Sequence, residues 1–117
     1  MLANTLIEKN MVKENDVIAF YQGNKILVKR VIAVGSNWIN IDENNNILVN
    51  GIRLNEDYAI HKEDGDYNIE LPHQVKNESY FVLSDNRENT VDSRMEDIGD
   101  ISYDNVIGKV LFRVYSK

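Results

Sequence analysis

One polar loop and one lysine carry the residue types in this chain that could do chemistry. The loop, residues 84–94, follows an apolar run and holds five charged side chains together with amide and hydroxyl groups. A simple hairpin needs only an Asn-Gly or Asp-Gly pair, so this loop has more hydrogen-bonding groups than chain reversal requires. The composition predicts a self-satisfying polar network at the rim of a site.

The lysine, Lys29, lies within the most apolar run of the sequence, residues 26–34. In a strand, one face of this run carries Lys29 and the other carries Arg30, each among aliphatic neighbours. Burial lowers the pKa of a lysine amine, and a neutral amine can act as a general base toward a hydroxyl. The alternative is that Lys29 extends to the surface and has no chemical role. Arg30 is expected to pair with Asp85 or Asp92.

Apolar and polar residues alternate with a period of two along most of the chain, which is typical of strands. Strands are predicted at residues 16–21, 25–34, 38–42, 47–49, 67–71, 80–83 and 106–115, with a type I′ turn at Asn50-Gly51. Helix is expected to be limited to one turn near residues 100–105 or within the first ten. We expect residues 1–117 to form a single, mainly β domain whose antiparallel sheets build a sandwich or partly closed barrel.

Composition excludes several classes of function. The net charge is −6, and no basic stripe is present, so a nucleic-acid partner is not expected. The absence of cysteine excludes thiol catalysis and thiolate metal ligation. His61 and His73 lie far apart and are expected to be exposed, so no metal site and no cofactor are predicted. Trp38 is expected in the core.

Several motifs, taken together and in order, resemble the catalytic domain of type I signal peptidase in its compact Gram-positive-like form. The resemblance covers most of residues 15–115 and gives the chain the signal-peptidase type of β fold. It rests on Asn15-Asp16-Val17-Ile18-Ala19-Phe20, Val28-Lys29-Arg30-Val31-Ile32, Leu48-Val49-Asn50-Gly51 and the loop Ser84-Asp85-Asn86-Arg87-Glu88-Asn89-Thr90-Val91-Asp92-Ser93-Arg94, closed by Val106-Ile107-Gly108-Lys109-Val110.

The resemblance implies a role for each matching site residue. Lys29 matches the general base, and Thr90 falls where the family places the hydroxyl that hydrogen-bonds and orients that lysine. Asp92 and Arg94 match a buried ion pair that holds the loop, and Ser93 is expected to be structural. The loop's own scaffold would be Asp85, Asn86 and Arg87.

One part of the family pattern has no counterpart here. The family's nucleophile is a serine in a Ser-Met-x-Pro-Thr-Leu box, and this sequence contains no such box. The resemblance therefore implies an N-terminally truncated form that lacks both the nucleophile and the membrane anchor. We expect this polypeptide to be soluble and inactive by itself. Ser36 and Ser84 are expected to be turn or packing residues rather than nucleophiles.

The function implied by the resemblance is that of a membrane-associated serine endopeptidase. Its Ser/Lys dyad would remove signal peptides from exported preproteins on the extracytoplasmic side of the cell membrane. The signal peptide would bind extended along a strand edge. The main alternative is a non-catalytic homologue that serves as a binding or surface-assembly factor. A self-cleaving repressor domain would need a DNA-binding module and a scissile segment, and the sequence shows neither.

Overall fold

Ten short strands joined by turns make up nearly all of the regular structure among the residues that the computed structural model describes. The structure describes the backbone of residues 5–8 and 12–112, and the side chains of residues 12–111. The strands are β1 Thr5–Glu8, β2 Val17–Gln22, β3 Lys25–Val34, β4 Trp38–Ile41, β5 Ile47–Val49, β6 Ile52–Arg53, β7 His73–Gln74, β8 Ser79–Leu83, β9 Ile101–Ser102 and β10 Val106–Phe112. A short 3-10 helix, Tyr103–Asn105, precedes β10.

The strands form two antiparallel sheets. The larger sheet has the order β1-β10-β2-β3-β8-β9, and the smaller has the order β6-β5-β4-β7. In the larger sheet β3 lies between β2 and β8, which are its hydrogen-bonded neighbours. The predicted mainly β architecture with little helix is therefore confirmed.

Strand β8 is buried on both faces and separates two hydrophobic cores. All five of its residues are buried. Phe81 and Leu83 pack into one core with Ile39 and other residues of the smaller sheet, whereas Tyr80 and Val82 face the other core. A strand with two covered faces does not show the alternation of a strand with one solvated face, and its sequence is continuously apolar. This burial fixes the position at which β8 ends and the polar loop begins.

Strand β3 has two halves that differ in exposure. Val31, Ile32 and Ala33 are buried, whereas Ile26 and Val28 are 58% and 50% exposed. The pairing with β8 shifts between Val31 and Ala33, which is the signature of a bulge. The prediction of two covered apolar faces therefore holds only for the second half of this strand.

The Asn50-Gly51 turn is confirmed, because both residues have positive φ angles, 53° and 82°, as a type I′ turn requires. The strand predicted at residues 67–71 is wrong. There Asn68 donates its backbone N–H to the Arg94 carbonyl, and its side-chain oxygen accepts from the backbone of Glu96. These bonds tie the segment to the chain that follows the polar loop instead of to a sheet.

Two smaller expectations also need correction. Trp38 is 46% exposed, because the alternation of β4 turns Ile39 and Ile41 inward and leaves Trp38 on the outer face. His73 is not freely exposed, because its ring nitrogen lies 2.8 Å from the buried carboxylate of Asp100. The single helical turn expected near residues 100–105 or within the first ten is confirmed at the first of these places by the 3-10 helix Tyr103–Asn105. Of the first ten residues the structure describes Thr5–Glu8, which form strand β1.

Candidate active site

The register of β3 and β8 brings a hydroxyl to Lys29. Leu83, the last residue of β8, pairs with Arg30 in the antiparallel ladder. The next residue, Ser84, therefore falls beside Lys29, and Lys29 Nζ donates a hydrogen bond of 2.8 Å to Ser84 Oγ. Both residues are buried, with 9% and 6% of their surface exposed. The alternative in which Lys29 extends into water is therefore excluded.

Burial is the main influence on the Lys29 amine. Desolvation lowers the pKa of Lys29, the nearby Asp92 carboxylate raises it, and the Arg94 guanidinium lowers it again. Desolvation has this sign because the charged ammonium loses its hydration on burial. The net lowering favours the neutral amine, which is the form that can accept a proton.

The expected hydrogen bond between Thr90 and Lys29 is absent from the described residues. Lys29 instead donates to Ser84, and Thr90 lies farther along the loop, half-buried. The Cγ2 methyl of Thr90 lies 3.1 Å from the position that a Cβ on Gly65 would occupy, so this side of Thr90 faces the segment around Gly65. Long-range strand pairing, which the sequence does not state, decides which hydroxyl lies beside the lysine.

Asp92 and Arg94 form a buried, two-pronged ion pair. Arg94 donates from Nε and Nη2 to the two carboxylate oxygens of Asp92, at 3.0 and 2.8 Å. The guanidinium also donates to the carbonyls of Arg87 and Asn89, which closes the loop upon itself. Ser93 joins the loop to β8, because its backbone N–H and its Oγ both bond to the backbone of Val82. Asp92, Arg94 and Ser93 thus have the geometry of loop-supporting residues.

A second buried ion pair joins the loop to the segment after β6. Arg87 Nη2 donates to Glu56 Oε1, and the two side chains are 2% and 0% exposed. Arg87 Nε also donates to the carbonyl of Ser84 at 3.0 Å. Asn86 forms a parallel bridge with Ile60. Arg87 and Asn86 therefore connect the loop to the segment between β6 and β7 of the smaller sheet.

Arg30 pairs with Asp85, one of the two carboxylates expected for it. Its Nε and Nη2 donate to the two oxygens of Asp85, each at 2.8 Å. The Arg30 guanidinium also lies 4.3 Å from the ring centre of Tyr58, a cation–π contact. This ion pair fixes the outer wall of the site. Lys29, the neighbouring cation, donates its hydrogen bond to Ser84 instead.

A cleft of about 330 Å³ opens beside these groups. It is lined by Lys29, Ser84 and their neighbours Val17, Val28, Arg30, Asp85, Asn86 and Asn89. On the side of β3 that faces β8, the ladder ends at the Arg30–Leu83 pair. Within the described part of the chain, the first five residues of β3 therefore have strand β2 on one side and no strand on the other. The cleft thus lies along an open strand edge.

Among the described residues, His61, Asp64 and Glu88 form one exposed group with possible metal-ligand atoms within 4.8 Å of one another. The two imidazole nitrogens of His61 face different carboxylates, at 3.7 Å from Asp64 and 3.9 Å from Glu88. Because a ring nitrogen directs its lone pair outward in the ring plane, this arrangement does not converge on one ion. We assign no metal to it.

Sequence reasoning missed three residues that shape the site. Ser84 was expected to be a turn or packing residue, yet it contacts Lys29 directly. Glu56 was not among the expected site residues, yet it neutralises the buried arginine Arg87 of the loop. Tyr58 supplies the ring beneath Arg30. The loop itself has three carboxylates for its two arginines, so its composition gave no signal that another acid was needed.

Comparison with known proteins identifies the family. The family described as signal peptidase, peptidase S26, matches residues 2–115. Signal peptidase IB of Staphylococcus aureus is 34% identical over 119 residues, which cover 88% of this chain and 60% of that protein. Signal peptidase I P of Bacillus subtilis subsp. natto is 39% identical over 74 residues, which cover 57% of this chain and 40% of that protein.

The fold agrees with this assignment. A crystal structure of a signal peptidase I from Enterococcus faecalis V583 superimposes with a TM-score of 0.69 and 25% identity, covering 86% of this chain and 97% of that one. The chain therefore belongs to the signal peptidase S26 family, as the sequence motifs indicated. It spans 40% to 60% of the length of the curated relatives given above. None of the helices among the described residues is long and apolar enough to cross a membrane.

Proposed function

We propose that this chain is the general-base domain of a serine-type endopeptidase that removes signal peptides from exported preproteins. Lys29 is the base of a Ser/Lys dyad and takes the proton from a serine hydroxyl as that hydroxyl attacks the scissile carbonyl. The substrates are signal peptides, which puts the reaction at the extracytoplasmic face of the cell membrane. Family membership supports the reaction class.

The buried Lys29 amine is the observation that carries this proposal. It lies in a cleft, 9% exposed, with a lowered pKa and one hydroxyl partner. A lysine that served only solubility would extend into water. A buried lysine retained beside a cleft is costly for the fold, so its position favours chemistry over packing.

The open edge of β3 can bind a substrate peptide in an extended conformation. A peptide can add to the unpaired side of this strand through main-chain hydrogen bonds, with alternate side chains facing the cleft. Val28 and Lys29 belong to both the edge and the cleft lining. A peptide bound there would bring its scissile carbonyl close to the Lys29 amine.

A chimera tests the proposal. The alignment with signal peptidase IB of Staphylococcus aureus defines the 60% of that protein that this chain can replace, while the remaining part supplies the nucleophile segment. We expect the chimera to cleave a preprotein and Lys29→Ala to reduce cleavage by about 10²- to 10⁴-fold, the usual contribution of a general base.

Lys25→Ala is the matched control, because Lys25 lies exposed on the same strand. We expect that variant to cleave at the rate of the unsubstituted chimera. Cleavage that survives Lys29→Ala, or a folded chimera that cleaves nothing, would contradict the proposal. The second result together with retained binding of a signal peptide would favour the alternative of a non-catalytic binding factor.

The 117-residue polypeptide is proposed to be inactive by itself, because its sequence has no Ser-Met-x-Pro-Thr-Leu box and covalent catalysis needs that hydroxyl. A fluorogenic signal-sequence peptide incubated with the purified chain measures this. Turnover that disappears with Lys29→Ala would show that a serine within the 117 residues is the nucleophile.

A further inference from the structure

We infer that Ser84 is the positioning residue for Lys29 in this chain, in place of the hydroxyl at position 90. This inference rests on the proposed role of Lys29 as the general base. The direct observation is the 2.8 Å hydrogen bond from Lys29 Nζ to Ser84 Oγ, formed between two buried residues.

The Ser84 hydroxyl, placed beside Lys29 Nζ, can orient the amine for its action as a base. By accepting one N–H of the amine, Ser84 Oγ fixes rotation about the last bond of the lysine side chain. The lone pair of a neutral amine is then directed away from Ser84 and remains free to accept a proton. A carboxylate at the same distance would instead hold the amine in its charged form.

Ser84 is itself held from both sides by the buried charges of the loop. Its backbone N–H donates to Asp92 Oδ2 at 2.9 Å, and its carbonyl accepts from Arg87 Nε at 3.0 Å. Asp92 is fixed by Arg94, and Arg87 is fixed by Glu56. Two buried ion pairs thus converge on the backbone of one serine, which gives its Oγ a defined place relative to Lys29.

Thr90 has none of these features in the described structure. Its hydroxyl makes no hydrogen bond to another described residue, and it does not line the cleft that Lys29 and Ser84 share. The two candidate positioning residues therefore differ in geometry, and substitution can distinguish them.

The first test observes the lysine directly and needs no catalysis. The 117-residue chain, labelled with ¹³C at lysine Cε, is titrated by NMR as unsubstituted protein, Ser84→Ala and Thr90→Val. The Lys29 resonance is assigned by its loss in Lys29→Met. Because Ser84 accepts from the protonated amine, its removal should lower the Lys29 midpoint in Ser84→Ala, whereas Thr90→Val should leave it unchanged.

The second test uses the chimera described above. Ser84→Ala should lower kcat by about 10- to 100-fold with little change in KM, and should move the acidic limb of the kcat profile to lower pH. Thr90→Val should change kcat less than threefold. A purely structural role for Ser84 would lower activity through the amount of folded protein and would leave the pH profile in place.

The outcomes separate the inference from the proposed function. A shifted Lys29 titration in Ser84→Ala with an inactive chimera would support the contact and contradict the peptidase role. An unchanged titration in Ser84→Ala, or a larger effect of Thr90→Val, would overturn the inference. Ser84→Gly provides a second variant that removes the hydroxyl, so a folding defect in Ser84→Ala does not decide the result.

Discussion

At the scale of single residues, this site contains several buried charges, and all but one of them have a charged partner. Arg87 and Arg94 each meet a buried carboxylate, while Lys29 meets only a hydroxyl. A buried ion pair adds little net stability, but loss of one partner leaves an uncompensated charge in a medium of low dielectric constant. The pairs thus make the loop sensitive to substitution, and they leave Lys29 hydrogen-bonded to a neutral partner.

Glu56 provides a direct test of this view. Glu56→Ala removes the partner of Arg87, whose side chain is 2% exposed, and should reduce the free energy of unfolding by about 3–5 kcal/mol. Urea unfolding followed by tryptophan fluorescence measures the change. Glu88→Ala is the control, because the Glu88 side chain is 56% exposed on the same loop; its effect should stay within about 0.5 kcal/mol. Equal effects of the two substitutions would refute a structural role for the Arg87–Glu56 pair.

At the scale of elements, the polar loop is packed against a neighbouring turn. A Cβ at Gly65 would lie 2.3 Å from the carbonyl oxygen of Arg87 and 2.8 Å from Arg94 Nη1. Contacts below 3.0 Å require something to move, and a backbone carbonyl in a closed loop has little freedom to do so. Gly65 therefore lets two segments approach each other more closely than any other residue type allows.

Gly65→Ala should destabilise the protein more than Gly51→Ala does. Both glycines have φ angles near 80–90°, +89° and +82°, so the backbone strain of an alanine is similar at the two sites. Of these two glycines, Gly65 has described neighbours within 4 Å of the added carbon and Gly51 has none. The extra cost should be about 1–3 kcal/mol, typical of an inserted methyl in a packed site. Equal unfolding midpoints in urea for the two variants would show that the loop adjusts freely.

The strands also show how much of the fold could be predicted from the sequence. Period-two alternation located strands with one covered and one open face, such as β4, and a continuous apolar run located β8, whose two faces are both covered. The same alternation misled at residues 67–71, where Ile69 and Leu71 pack on the core while the nearby backbone bonds to Arg94. Apolar side chains indicate burial, but the ladder partners that define a strand come from distant sequence.

The sequence likewise predicts one part of the candidate site and not another. Lys29 could be found from the sequence because a cation within an apolar run is locally anomalous. The contact with Ser84 could not, since it depends on the Arg30–Leu83 register set by pairing across more than fifty residues. The resemblance supplied a hydroxyl at the position that the family uses, and the fold of this chain provides one at another position.

At the scale of the whole molecule, the buried Lys29 amine couples stability to pH. The pKa of Lys29 is lowered from its ordinary 10.5, so between the folded value and 10.5 the unfolded chain binds more protons than the folded one. The free energy of unfolding contributed by this group therefore rises with pH through that window. This is opposite in sign to the usual contribution of a lysine that gains a partner.

Lys29→Met should remove this dependence. At pH 7 the variant should be more stable by about 1 kcal/mol, roughly 4 °C in Tm, because an apolar chain replaces an amine whose protonated form is disfavoured by burial. The difference should narrow as the pH rises toward 10.5. Thermal unfolding of both proteins across pH 6–10 measures it, and Lys25→Met on the exposed part of the same strand serves as the control. A constant difference across this range would contradict the assigned titration.

The pairing of the loop charges also determines how a ligand meets the cleft. Arg30 with Asp85, Arg87 with Glu56 and Arg94 with Asp92 each sum to zero, so the net charge of −6 is carried by other residues. Little long-range field therefore originates at the cleft itself. The effect of ionic strength on peptide association there should come from the net charge of the other residues, while the ion-paired cleft contributes shape and main-chain complementarity.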